Sequence, residues 1–539
     1  MEQIFYNGKI ITMCAVDEAQ ERSIELEAVL IEDGKIKMTG KLSDIEECAD
    51  ASAQRRNLEG KCLMPAFIDA HSHFVMNGQM SAMADLSDCA CFDDVISVLK
   101  KYIAVNNLTK KEVVLGFGYD HNFLKEYAHP DKRVLDQASS EIPIVVLHIS
   151  AHLACANSAA LRLAGIDENT SDPDGGIFGR FQDSREPSGY AEESAVGLLQ
   201  AAIIPRIKFD IASVMQNMQA EYLKNGVTTV QDGASTQKDV EMLIQMNDAG
   251  CLKLDVISYP LITADGEQTM SLYGKDYCDY RNHFKIGGYK VVLDGSPQGR
   301  SAWMSEPYLG GEPDYCGYPW LKDDILYEYI RRAMHENRQI LAHCNGDAAS
   351  GQFIAAYESA LRNTDNKKDL RPVMIHCQTV RNDQLDRMAK ISMIASVFVG
   401  HVWYWGDVHM RNFGAERGNR ISPVKDALNR GICVNFHQDT PVTKPDMLHS
   451  VWCAVNRVSR SGCKIGENQA IDVYDALKAV TVNAAYQYFE ENTKGSISAG
   501  KRADLVILDK SPLDVDKKEI NEINVLETIK DGETVYRRN

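Results

Sequence analysis

Between Cys62 and His437 the chain repeats one local pattern eight times: a short apolar run, then a helical stretch. The runs are Cys62–Ala70, Val227–Asp232, Leu252–Tyr259, Gly287–Asp294, Gln339–His343, Val373–His376, Ile394–Val399 and Ile432–His437. Short runs rich in Val, Ile and Leu, apolar on both faces, read as buried strands. Helical stretches such as Asp324–Asn337 and Ala348–Asn363 lie between them. A strand returning parallel to its predecessor needs such a crossover, so the alternation predicts an α/β fold with parallel strands. Eight repeats favour a (β/α)8 TIM barrel. The competing topology, a doubly wound open sheet, would carry a Gly-rich phosphate loop, and none is present.

The pattern is interrupted once and framed at both ends. The gap after the first run, roughly Asn77 to Asn225, is too long for one crossover and holds its own strand signals, Val113–Phe117 and Ile144–His148. It predicts an inserted subdomain over the barrel mouth, where loops after barrel strands carry substrate-binding additions. Ile4–Met13 and Ala28–Met38 alternate apolar and polar residues around Gly8 and Asp33-Gly34, as hairpins do. Ala503–Leu508 and Val525–Val535, the latter turning at Asp531-Gly532, read the same way. The expected organisation is a small β-sandwich built from both termini, residues 1–62 and 486–539. It would flank a barrel domain of residues 63–485 with an insert at about 77–225.

Composition narrows the partners. With 58 Lys and Arg against 76 Asp and Glu, the net charge is −18, which argues against nucleic acid or an anionic membrane as partner. No apolar window approaches the ~18 residues of a membrane span. The opening MEQIFYNGKIITM lacks a basic region followed by an apolar one. The 14 cysteines form no C-x-x-C pair, and the nearest two, Cys89 and Cys91, have the wrong spacing for a zinc knuckle or redox motif. A cytoplasmic protein with reduced thiols and a small-molecule substrate is expected, with homodimerisation left open.

The sharpest chemical signal is Pro65-Ala66-Phe67-Ile68-Asp69-Ala70-His71-Ser72-His73, an apolar run ending in two histidines one residue apart. In a strand, residues i and i+2 face the same side, so both imidazoles reach one ion. The pattern recurs. His343, His376 and Asp439 each close an apolar run, and Lys290 sits inside Gly288-Tyr-Lys-Val-Val-Leu293. Neutral imidazoles with a carboxylate form the donor set of a divalent transition metal, with zinc favoured and one or two ions allowed. A buried lysine without a partner is costly, so Lys290 needs a chemical reason for its place.

These motifs resemble the amidohydrolase superfamily, and within it the YtcJ-like branch that includes N-substituted formamide deformylases. The resemblance spans nearly the whole chain. It is carried by Asn7-Gly8-Lys9-Ile10, Pro65–His73, His152-Leu-Ala-Cys-Ala-Asn157-Ser-Ala-Ala-Leu161 and Asp172-Pro-Asp-Gly-Gly176. Further on it rests on Gly226-Val-Thr-Thr-Val230, Asp294-Gly-Ser296, His343 with Gly346-Asp347-Ala348, and Asp439-Thr-Pro-Val442. Thr481-Val-Asn-Ala-Ala485 and Gly495–Leu505 complete it.

The resemblance implies that His71, His73 and Asp439 hold the more buried metal and that His343 and His376 hold a second. It implies that Lys290 bridges them as a carbamate formed with CO2, and that Asp439 shuttles a proton during hydrolysis of a C–N bond. Two positions depart from the pattern of many relatives: Ala66 stands where they have Gly, and Phe436-His437-Gln438-Asp439 replaces a Ser-Gly-Ser-Asp type ending. His401, Trp403 and Tyr404 after the seventh run, Arg300 and Trp303 before the fifth, and His152 in the insert are candidate substrate contacts, and His148 is a further insert histidine. A metal-dependent isomerase and a catalytically silent binding barrel are the competing functions on the same scaffold.

Overall fold

A computed structural model describes residues 2–81, 83–121, 123–149, 153–173, 176–203, 206, 211–366 and 368–538. The fold is mixed α/β. The chain forms two compact units: Met1–Val75 with Gln219–Asn539, and Met76–Met218.

In the first unit the alternating segments become parallel strands. Phe67–Ile68, Val227–Ser235, Asp255–Pro260 and Phe284–Ile286 form one run of neighbours; Gly288–Val292, Gln339–Cys344, Val373–His376, Ile394–Val397 and Val434–Phe436 form another. Leu261 and Lys290 make a parallel bridge between the runs. At the other end the Asp439 N–H donates to the His71 carbonyl at 3.1 Å, and the His73 N–H donates to Thr440 at 2.7 Å. Ile68, Ile257, Leu341, Val373, Ile375 and Ile394 are buried in one cluster with Ala484 and Tyr488. Each such side chain contributes about 1.5–3 kcal/mol through burial.

The run Cys62–Ala70 is not one strand. Cys62–Pro65 pairs antiparallel with Leu505–Leu508, while Phe67–Ile68 pairs with Val227–Ser235. Pro65 has no N–H to continue a ladder, and the Ala66 N–H donates to the Asp504 carbonyl, so the chain crosses between sheets there. Ile4–Met13 is likewise not a hairpin. Glu2–Tyr6 pairs with Ala28–Glu32 and Gln54–Asn57, and Lys9–Ile10 pairs parallel with Cys62–Pro65. A side chain at Gly8 would put a Cβ 2.5 Å from the Lys61 carbonyl oxygen, so this close approach, rather than a turn, explains the glycine. Ala28–Glu32 and Lys35–Gly40 do form the expected hairpin, as do Val525–Lys530 and Glu533–Arg537. Residues from both chain ends, Phe5, Val29, Ile31, Leu63, Leu505 and Ile529, share one core.

The second unit is built on a six-stranded mixed sheet in the order Gly176–Arg180, Pro187–Glu193, Leu153–Ala156, Ile144–His148, Val114–Tyr119, Ala84–Asp85. Its central strands are apolar on both faces. Leu147, Ala154 and Phe178 pack on one side, and Val114, Val146 and Leu99 on the other. Among the described residues no helix is long and apolar enough to cross a membrane.

One charged cluster ties the parallel strands to the C-terminal segment. Asp255, at the start of its strand, is fully buried and accepts from Lys494, from His283 Nδ1 at 2.7 Å and from Arg502 Nη1 at 3.0 Å, with Lys530 Nζ at 3.1 Å. Burial alone would raise the Asp255 carboxyl, but Lys494 and Lys530, with His283 and Arg502, outweigh it and hold the group well below the usual range. Asp255→Asn should therefore remove the carboxylate shared by the buried Lys494 and Lys530 and lower stability in urea or thermal unfolding by up to about 3–5 kcal/mol, less to the extent that Glu490 and Asp504 still pair those lysines. A depressed folded pKa gives stability that is present above the unfolded value of about 3.9 and is lost as pH falls through the folded one. The variant should lack this part of the acid unfolding slope.

Candidate metal centre

The six donors named from the sequence come together at the C-terminal ends of the parallel strands. Ligand atoms of His71, His376 and Asp439 lie within 4.8 Å of one another. Asp439 Oδ1 is 3.4 Å from His71 Nε2 and 3.3 Å from His73 Nε2. Lys290 Nζ is 3.2 Å from His71 Nε2, and His376 Nε2 is 2.9 Å from His343 Nδ1.

Bonds on the outer side of the His71 and His73 rings decide which of their nitrogens carries the inward lone pair. The His73 Nδ1–H donates to the Gly233 carbonyl at 2.7 Å, which can only accept. Gln231 Nε2 donates to the Ala70 carbonyl, which turns Gln231 Oε1 towards His71 Nδ1 at 2.5 Å. His376 Nδ1 lies 3.3 Å from His437 Nε2, and His437 Nδ1 2.9 Å from Ser396 Oγ. His343 Nε2 lies 3.0 Å from the Asn345 side-chain amide and 3.3 Å from the Gly295 carbonyl. The inward nitrogens of His71 and His73 carry lone pairs and face an Asp439 oxygen that is buried without a hydrogen-bond partner among the described residues. Those of His343 and His376 face each other at 2.9 Å. Lone pairs and an anion gathered in this way repel one another unless a cation lies among them, so the donor set fits a divalent transition metal.

Burial holds His71, His343 and His376 in the neutral, ligating form. It lowers His71 and His376 well below the ordinary value, with Lys290 adding to the effect on His71 and His343 to that on His376. His343 falls to about 4, first from burial and then from Lys290. Burial pushes Lys290 down to about 7 against the pull of Asp439. It would raise Asp439, but His73, His437 and Lys290 hold that carboxyl below its ordinary value, so it is ionised at neutral pH.

Local backbone geometry aims these groups. His376, Cys377 and Asp439 have φ of 72°, 49° and 54°, a left-handed conformation that costs non-glycine residues about 1–3 kcal/mol each. Gly233 passes so close to His71 that a Cβ there would be 2.5 Å from the ring. Asp294, buried, accepts from the N–H groups of Trp303, Asn345 and Gly346 at 3.0, 3.0 and 2.7 Å, fixing the turn that follows His343.

The match to known proteins agrees with this geometry. Residues 54–536 match the model of the "Amidohydrolase family". The chain belongs to this family. It is 25% identical to YtcJ of Bacillus subtilis, with both chains covered in full. It is 27% identical to the N-substituted formamide deformylase of Arthrobacter pascens, covering 95% of each chain. A crystal structure titled as an uncharacterized metal-dependent hydrolase from Pyrococcus horikoshii superposes with a TM-score of 0.77 at 24% identity, over 96% of this chain and 99% of that one.

The expected substrate contacts are placed differently from the donors. His401 opens the helix His401–Gly418 and is buried, its Nδ1 3.0 Å from His409 Nε2 and its ring against Phe398 and Trp405. Trp403 packs edge-on to Trp452 and His449, and Tyr404 against His449. Arg300 donates to Asn412 Oδ1 and the Gly310 carbonyl. Trp303 is held through its N–H by Asp294, and His152 lies outside the described residues. Gln231, Gly233 and Ser396, which orient the donors, were not singled out from the sequence. A glutamine within the apolar strand Val227–Ser235 was the available signal.

His437→Phe replaces the ring with another aromatic one but removes the nitrogen that contacts His376 Nδ1. It should weaken zinc binding about 10–100-fold, measured by competition with a chromogenic chelator, while the thermal midpoint stays near wild type.

Proposed function

We propose that this chain hydrolyses an amide-type C–N bond of a small molecule at a divalent metal centre, with zinc the favoured ion. The parallel strands form a (β/α)8 barrel whose C-terminal mouth carries the centre, and the β layer from both chain ends is its companion domain. The observation that carries this reading is the buried Asp439 oxygen without a hydrogen-bond partner, facing imidazole lone pairs.

His71, His73 and Asp439 would hold one ion, and His343 and His376 a second where two bind. When bound, such an ion supplies Lewis acidity, polarising a carbonyl oxygen and making water nucleophilic near neutral pH. Asp439 takes the proton of the attacking water on the oxygen left free and returns it to the departing amine. Its ionised state at neutral pH suits the first transfer, and its burial keeps bulk water from competing for the second.

Lys290 supplies the remaining charge. Its Nζ lies against His71 Nε2, a neighbour that does not neutralise an ammonium ion. With the amine held near 7 by burial, a neutral fraction exists that attacks CO2. The amine nitrogen bonds to the carbon, one proton leaves, and an anionic carbamate with two donor oxygens results. The named activity of the Arthrobacter pascens relative makes N-substituted formamides the first substrates to assay, followed by other amides, ureas, cyclic amides and esters.

Stripping metal with a chelator should abolish turnover of whichever substrate the screen identifies, and zinc should restore it. Asp439→Asn should lower kcat by several orders of magnitude with the fold intact by circular dichroism. Near wild-type kcat in that variant would remove Asp439 as the proton carrier. Lys290→Ala should lose activity, partly recovered with a short carboxylic acid in solution. A bare amine in a fully active crystal would refute the carbamate.

A further inference from the structure

The unit Met76–Met218 carries its own cluster of metal-ligating side chains. Val114–Tyr119 and Ile144–His148 are neighbouring parallel strands, with Tyr119 in register with His148. Asp120 and His121 follow the first strand directly, and His148 ends the second. Three donors thus stand at the C-terminal ends of adjacent parallel strands. Their ligand atoms lie within 4.8 Å of one another. His121 Nδ1 is 3.3 Å from His148 Nε2, and Asp120 Oδ1 is 3.5 Å from His148 Nε2 and 3.9 Å from His121 Nδ1.

The separations bear on what the cluster can hold. His121 Nδ1 and His148 Nε2 are within hydrogen-bonding reach of each other, while both contacts of Asp120 Oδ1 are longer than the usual range of about 2.7–3.2 Å. A tetrahedral ion with bonds of about 2.0–2.2 Å to imidazole nitrogen and carboxylate oxygen spaces its ligands about 3.3–3.6 Å apart. Two edges fall in that range, and the third exceeds it by a few tenths of an ångström.

The surroundings fit a metal as well. The His129 ring lies 4.1 Å from that of His121, and its Nδ1 is 3.0 Å from Tyr119 Oη, which also contacts Cys155 Sγ at 3.3 Å. Tyr190 covers the far side of His129. Burial lowers His121, and it takes His129 to about 4, so both rings are neutral at physiological pH. The His121 side chain keeps 29% of its exposure, which leaves a path for an ion and a position for water.

We propose that Asp120, His121 and His148 form a second transition-metal site, separate in its residues from the His71–Asp439 centre, with a two-histidine, one-carboxylate donor set and at least one open coordination position. It rests on residues of the Met76–Met218 unit alone and stands or falls independently of the hydrolytic reading.

The test uses full-length protein stripped of metal and titrated with cobalt(II), whose visible absorption reports tetrahedral nitrogen and oxygen ligation, with bound metal counted after desalting. In His71→Ala/His73→Ala protein, adding His121→Ala should remove one further equivalent of bound cobalt together with its visible bands. Wild type should bind one equivalent more than His121→Ala alone, a comparison that holds even if the double variant does not fold. Asp120→Asn, which preserves shape, should weaken the same equivalent at least tenfold. Equal cobalt content and spectra in wild type and His121→Ala would overturn the proposal.

Discussion

Everything above the start of the strand Asp255–Pro260 depends on how one buried charge is satisfied. Asp255 has no access to water, and a lone carboxylate there would be untenable. Lys494 and Arg502 reach it from the C-terminal segment, Lys530 from a strand of the terminal sheet and His283 from the next turn. Glu490 joins through Lys494 and Lys285. The lysines share their charge among Asp255, Glu490 and Asp504, so the cluster binds distant stretches of sequence into one arrangement. The stretch that supplies Lys494 and Arg502 also carries Tyr488, whose hydroxyl donates to the Asp69 and Ala70 carbonyls directly before His71.

At the opposite end of the strands the same problem is solved differently. Ionisable groups are again buried, yet no matched set of countercharges surrounds them. His71, His343 and His376 avoid the cost by remaining neutral, and the outer ring nitrogens of the site contact Gly233, Gln231, Gly295, Asn345 and His437. The strain of three left-handed residues is carried at this end. A fold that satisfies buried charge at one end of its strands and leaves donors unsatisfied at the other has separated stability from chemistry.

Much of this was legible in the sequence because it is local. Val373–His376 is a strand with the bounds read from its apolar run, and Ala28–Glu32 with Lys35–Gly40 turns at Asp33-Gly34 as the alternation requires. The H-x-H spacing and the apolar runs closed by His343, His376 and Asp439 placed donors at strand ends without knowledge of partners. What was not legible depends on contacts distant in sequence. Nothing within Ile4–Met13 shows that Lys9–Ile10 will pair with Cys62–Pro65, and nothing near His71 reveals Gln231. His401, in the aromatic run after Gly400, opens a helix and lies 3.0 Å from His409, a contact eight residues on that the run itself does not reveal. His148 was singled out alone; its grouping with Asp120 and His121 was not legible, because the two stretches become adjacent only through parallel pairing, which periodicity does not specify.

The charge of the His71–Asp439 centre follows from these neutral rings. Burial lowers His71, His343 and His376, so these three contribute lone pairs and no charge. Asp439 is anionic, and burial leaves Lys290 an amine that becomes anionic on taking up CO2. Affinity for a divalent cation then does not require these three histidines to titrate, because burial has already moved them out of the range. Had the rings been exposed, with ordinary values near 6.5, protonation would compete with ligation at physiological pH. Burial of the donors, costly to folding, is what keeps the lone pairs available.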